Sequence, residues 1–121
     1  MMKLLYSVTS PYARKVRIVL AERRIPFEDT PVPKADSPEV VEVNPNRKVP
    51  TLLHDGKVFF ESNVILEYLL KTTSPAAGGE SPALSLGMTR ATHHWDDLLT
   101  LSTTETLMDA ALILNFANRA E

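Results

Sequence analysis

The sequence predicts an α/β domain followed by the start of an all-α one, and three observations carry that reading. Apolar runs and a helical period alternate as strand, helix, strand between Lys3 and Val32. Two short apolar runs, Thr51–Leu53 and Val58–Phe60, flank an Asp55-Gly56 pair and lead into a second helical pattern at Ser62. Beyond Pro82, apolar residues recur at three- and four-residue steps.

Lys3-Leu4-Leu5-Tyr6-Ser7-Val8 reads as a buried strand. Thr9-Ser10 breaks it, and Pro11 suits the first position of a helix, where its missing N–H costs nothing. Tyr12, Val16, Val19 and Leu20 then fall on one helical face. Arg23 and Arg24 are expected in the last turn, where positive charge complements the helix dipole. Pro26 ends the helix, and Phe27 to Val32 reads as a second strand. Strand, helix, strand at this length is a βαβ unit with a right-handed crossover.

From Pro26 to Pro50 the chain carries six of its nine prolines, so this segment is expected to be irregular, with one helical turn near Glu39–Val43. Such a segment is a natural wall for a ligand site. Pro50 cannot donate to a ladder, which puts Val49 at a sheet edge or in a bend, with its backbone free to pair with a ligand. Asp55-Gly56 predicts a tight hairpin, since both turn residues tolerate φ > 0. Ser62 is the expected N-cap of the next helix, Val64 to Leu70, with the Glu61 carboxylate at its mouth. The order βαβ then ββα is that of a thioredoxin-like fold. Thr72 to Pro82 reads as a linker. The expected division is therefore a domain over 1–73, a linker over 74–83, and the first long helix of a truncated all-α domain over 84–121. In that helix Leu84, Met88, Ala91, Trp95, Leu98 and Leu99, then Leu107, Ala110, Ala111 and Leu114, keep the period. The Thr- and Ser-rich middle, Thr100 to Thr106, is a mediocre helix former, so the helix calls for packing against something outside these residues.

At 121 residues, 44% apolar and 23% charged, the chain suits one globular domain with a modest core. A net charge of -2 argues against nucleic acid or an anionic membrane as the main partner. There is no cysteine, which excludes disulfides, zinc–thiolate sites and a redox Cys-x-x-Cys pair within these residues. The amino terminus shows no signal-like apolar segment, and no run reaches the roughly 20 apolar residues that span a bilayer.

Val49-Pro50, a hairpin, then Glu61-Ser62 opening a helix together resemble the glutathione-binding half of the glutathione transferase amino-terminal domain. The resemblance covers Lys3 to about Leu70. It implies a cis Pro50, Val49 pairing its backbone with the cysteinyl part of glutathione, and Glu61 and Ser62 holding the γ-glutamyl end. It further implies a homodimer, a cytoplasmic setting, a detoxification role, and glutathione as co-substrate with no permanently bound cofactor and no metal. In that family the long helix opens an all-α second domain. This sequence stops near the end of that helix, as a fragment or a truncated form would.

Ser10-Pro11-Tyr12, followed by Val16-Arg17, is similar to the segment where serine-type members carry their catalytic serine. Taken alone, Ser10 is a helix cap. In this setting its hydroxyl and the helix mouth offer an anion site. A free thiol ionises near about pH 8.5. Lowering that by two units takes about 2.7 kcal/mol of preferential thiolate stabilisation. One charge-assisted hydrogen bond of about 1.5–3 kcal/mol plus a dipole contribution of about 0.3–1 kcal/mol is the right size. Ser10 would stabilise the nucleophile that glutathione brings, with Thr9 as the second candidate and Tyr12 beside it. With serine here, thiol-transferase and dehydroascorbate-reductase chemistry on the protein are disfavoured.

Lys34 and Lys48 are candidates for the glycine carboxylate, and Arg47 is assigned to the surface. By position Glu105 resembles the partner-subunit acid that reaches the γ-glutamyl ammonium, with Asp109 as the alternative; a solvated helix face is the plainer reading of both. His93-His94 beside Asp96-Asp97 is read as surface rather than metal, because adjacent helical residues diverge by about 100°. Trp95 is assigned to a domain or dimer seam and Tyr68 to core or interface. The expected reaction is attack of the glutathione thiolate on an electrophilic small molecule. The alternatives are a non-catalytic binding or regulatory module and a glutathione-dependent isomerase.

Overall fold

The computed structural model describes residues 1–73 and 94–119. The chain divides into two units, Met1–Ser81 and Pro82–Glu121. In the first, β1 (Met2–Tyr6), α1 (Pro11–Glu22), β2 (Phe27–Pro31), α2 (Pro38–Val41), β3 (Thr51–His54), β4 (Lys57–Phe60) and α3 (Ser62–Thr72) follow one another. The strands form one sheet in the order β2-β1-β3-β4. β1 and β2 run parallel, while β3 is antiparallel to both β1 and β4. This is the expected thioredoxin-like arrangement.

Successive strand residues point to opposite faces, and β1 shows why it is apolar throughout. Leu4 joins Ala13, Val16 and Leu20 of α1 with Ile65 and Leu69 of α3 in the larger core. Leu5 joins Val32 and Val40 in a smaller one, with Val43, Val49 and Leu53 packed against it. Helices α1 and α3 therefore cover one face of the sheet, and the irregular segment around α2 covers the other. Each fully buried Leu or Val contributes about 1.5–3 kcal/mol over its exposed state.

Several element ends differ from expectation. β1 stops at Tyr6, where Pro31 ends the parallel ladder, and Val8 is exposed. β2 accordingly ends at Pro31, and α2 is one turn over Pro38–Val41. α1 ends at Glu22 with Arg23 as its C-cap. Arg23 is 4% exposed and serves a different helix. Its Nη1 donates to the carbonyls of Leu69, Leu70 and Thr73 and to the Thr73 hydroxyl, which satisfies the end of α3. Arg24 takes φ 52 on the way to β2. The hairpin turn is as expected, with Asp55 at φ 49 and Gly56 at φ 73. The N-cap of α3 is Glu61, not Ser62, because a bend at Glu61 (φ 74) swings its carboxylate under the first turn. Val49 lies in a bend rather than at an edge, since β3 is an interior strand.

In the second unit α4 runs from His94 to Arg119. The Thr-rich stretch is helical throughout. The hydroxyls of Thr103, Thr104 and Thr106 donate to carbonyls four residues back, so these side chains find partners without leaving the helix. Trp95 is 75% exposed, and Leu99, Leu107, Ile113, Leu114 and Phe116 are also exposed. The expected linker over 74–83, the start of the long helix over 84–93, His93 and the His94 side chain lie outside the described residues. No helix among the described residues is long and apolar enough to cross a membrane.

Candidate functional site

Register alone gathers the predicted residues at one end of the sheet. Tyr6, the last residue of β1, pairs with Pro31, the last of β2. Leu5 pairs with Thr51, the first residue of β3, and Thr51 pairs with Phe60, the last of β4. Thr9-Ser10, Val49-Pro50 and Glu61-Ser62 therefore leave or enter the sheet at the same end, and Val32 begins the stretch to Lys34 there.

Ser10 is the N-cap of α1, and its Oγ accepts from the Ala13 N–H at 3.2 Å. An oxygen accepting on one side still carries its own proton, so the hydroxyl remains a donor for an anion at the helix mouth. Pro11 brings no N–H, and the Ala13 N–H is spent on Oγ. An anion placed here would meet the hydroxyl and the helix dipole, the two contributions the sequence reading counted. Thr9 is exposed, and its hydroxyl bonds that of Ser7 at 3.2 Å. Tyr12 sits in the first turn of α1.

The loop before β3 is built on a buried amide. Asn44 is fully buried; its Nδ2 donates to the Lys48 carbonyl at 2.9 Å and the Thr51 hydroxyl at 2.8 Å. Its Oδ1 accepts from the Asn46 N–H at 2.9 Å. The Thr51 hydroxyl donates in turn to the Lys48 carbonyl at 2.9 Å. This network fixes the backbone that presents Lys48, Val49 and Pro50, and the Val49–Pro50 peptide is cis, as the resemblance implied. Since β3 begins at Thr51, the Val49 backbone stays outside the ladder.

Glu61 Oε2 accepts from the N–H groups of Asn63 (3.2 Å) and Val64 (3.4 Å). Ser62, 2% exposed, directs its hydroxyl at Oε1 from 3.5 Å. An ionised carboxylate has about four lone-pair sites, so Glu61 retains capacity for a ligand ammonium. A non-glycine residue at φ 74 costs about 1–3 kcal/mol and persists where its surroundings hold it.

The Lys34 side chain is exposed and pairs with Asp36 at 3.3 Å, while its carbonyl takes the Ser37 hydroxyl at 2.7 Å. Lys48 and Arg47 are exposed, Arg47 at φ 51. Glu105 and Asp109 belong to α4, in the second unit. Tyr68 is partly buried on α3, stacked on Phe59 with ring centroids 3.9 Å apart and bonded to His54 Nδ1 at 2.7 Å, a core role as expected. Sequence reasoning missed Asn44, Lys15 and Asn63. Asn44-Pro45 was a visible turn signal, but burial of its side chain was not. Lys15 Nζ donates to Asn63 Oδ1 at 2.6 Å across α1 and α3, a contact no local pattern announces.

Residues 4–77 match the model of the glutathione S-transferase N-terminal domain family. A stringent starvation protein A homologue of Pasteurella multocida is 37% identical over 94 residues, covering 70% of this chain and 44% of that protein. Glutathione S-transferase U3 of Arabidopsis thaliana is 38% identical over 73 residues, covering 58% of this chain and 32% of that protein. Among solved structures, a glutathione S-transferase from Methylobacillus flagellatus with glutathione bound is 51% identical with a TM-score of 0.56, covering 63% of this chain and 39% of that one. The chain thus spans less than half the length of these relatives.

Proposed function

The chain belongs to the glutathione S-transferase family through its N-terminal domain, and from that premise we propose that its sheet end binds glutathione and activates it for conjugation. Ser10 donates its hydroxyl proton to the glutathione sulfur and stabilises the thiolate. Val49 pairs its backbone with the cysteinyl part, next to Pro50. Glu61 and Ser62 receive the γ-glutamyl ammonium and carboxylate, and Lys48 and Lys34 are the candidates for the glycine carboxylate. Thr9, Tyr12 and Glu105 are secondary candidates. The thiolate then attacks an electrophilic carbon of a small molecule and displaces its leaving group or adds to it. The domain division at 1–73, 74–83 and 84–121, a homodimer and a cytoplasmic setting belong to the same reading.

The observation that carries it is the capped mouth of α1, with Ser10 Oγ bonded to the Ala13 N–H at the sheet end where Val49 and Glu61 also emerge. The hydroxyl is thereby held at a helix N-terminus with its own proton still available to donate. The test is steady-state conjugation of glutathione to an activated chloronitroarene by the full-length protein. Ser10→Ala is expected to lower kcat by about 10–100-fold, the rate equivalent of one charge-assisted hydrogen bond, with little change in the KM for glutathione. Unchanged kcat removes Ser10 from the chemistry.

A second reading is a transferase-like binding or regulatory module without catalysis. It is favoured by the 37% identity to a stringent starvation protein A homologue, which covers more of this chain than the Arabidopsis transferase does. A glutathione-dependent isomerase would use the same binding residues, with its second substrate set by the second domain.

A further inference from the structure

We propose that Lys15 and Asn63 are positioning residues for this site, acting by tying the mouths of α1 and α3 together; the inference rests on the glutathione reading of Ser10 and Glu61-Ser62. A ligand with its thiol at one helix mouth and its γ-glutamyl end at the other needs the two at a fixed separation. Ser10 caps α1 and Glu61 caps α3, and no strand hydrogen bond joins the two caps directly.

Lys15 stands roughly a turn and a half along α1 from Ser10. Its ammonium donates to Asn63 Oδ1 at 2.6 Å, and both residues are half-buried. The Asn63 N–H donates to Glu61 Oε2 at 3.2 Å. Asn63 is therefore bonded to α1 through its side chain and to the Glu61 carboxylate through its backbone. Helices α1 and α3 pack together in the larger core, and two polar ties join them, one toward each end. Arg23 pins the far end of the pair to Leu69, Leu70 and Thr73, and Lys15 pins the near end. Only the near tie is bonded to the residue that carries the carboxylate. Glu61, at φ 74, needs such support to keep its bend.

The inference predicts a signature opposite to that of Ser10. Lys15→Met and Asn63→Ala each weaken binding of reduced glutathione by about 3–10-fold, the net worth of one hydrogen bond. The ionised fraction of the bound thiol stays at the wild-type level. Losing both partners costs less than the sum of the two single losses, because the two share the Lys15–Asn63 bond. Lys15→Arg, whose guanidinium also reaches an amide oxygen, restores the affinity.

The experiment is calorimetric titration of the full-length protein and these four variants with glutathione, alongside thermal unfolding of each. A loss of affinity with coupled single variants, unchanged thiol ionisation and rescue by arginine supports the tie. Wild-type affinity in Lys15→Met and Asn63→Ala, or losses that simply add, overturns it. Should Lys15→Met unfold, Lys15→Arg and Asn63→Ala carry the same comparison. Failure of the wild type to bind glutathione overturns the site reading, and the tie as a device for that site falls with it.

Discussion

Tyr6 closes β1 just before the site and is 3% exposed. Burial pushes its phenol above the ordinary value near 10, the Asp29 carboxylate that it bonds pushes the same way, and the Arg17 guanidinium 4.6 Å over the ring pulls it down. A folded value above the unfolded one means the native state holds the proton longer. Its contribution to stability is complete below the unfolded value and is lost as pH rises through the folded one. Urea midpoints are expected to fall with pH above about 10, and Tyr6→Phe to flatten that slope. A wild-type slope retained in Tyr6→Phe would assign it to another group. Residues of this kind were the least legible in the sequence. Asn44 read as part of an irregular stretch, and only its burial shows that it builds the Lys48–Pro50 backbone. Ser62 has the chemistry of a cap, yet the bend at Glu61 gave the cap to the neighbouring carboxylate. Side-chain choice between adjacent polar groups is a tertiary outcome, and period and spacing do not encode it.

At the scale of elements the sequence was far more open. Helical periods placed α1 and α3, and the Asp55-Gly56 pair placed the hairpin, because both signals are local and backed by backbone sterics. The ends were set by neighbours. β1 stops where Pro31 closes the ladder, and α1 stops where Arg23 turns inward to α3. The guanidinium has no carboxylate partner among the described residues and is held by the carbonyls at the end of α3, which it satisfies. Arg23→Met takes the guanidinium from the Leu70 and Thr73 carbonyls, while Leu69 O keeps the Thr73 N–H, and is expected to cost about 1–3 kcal/mol. The loss should show first as faster amide exchange over residues 69–73, with α1 protected. Uniform loss of protection across both helices would instead make Arg23 a core packing residue. The Thr-rich centre of α4 illustrates the reverse case. Its propensity is poor, but hydroxyl bonds within the helix accommodate it.

For the whole molecule, the strand register does the work that no single motif does. It carries four separate segments to one end of a four-stranded sheet, and the family match over residues 4–77 covers the same segments. The candidate site was legible because its parts are punctuation: a proline after Val49, a hairpin turn and two helix starts. The ties that hold those parts at fixed separation were not, because Lys15 and Asn63 lie 48 residues apart in sequence.

The most direct measurement is proton release on glutathione binding, followed by calorimetry in buffers of different ionisation heat from about pH 6 to 9, for wild type and Ser10→Ala. The account predicts that the wild type binds glutathione and releases a proton near neutral pH, and that Ser10→Ala binds about as tightly but keeps it. Binding without proton release in both proteins would contradict thiolate stabilisation by Ser10 and leave a site that holds glutathione without activating it.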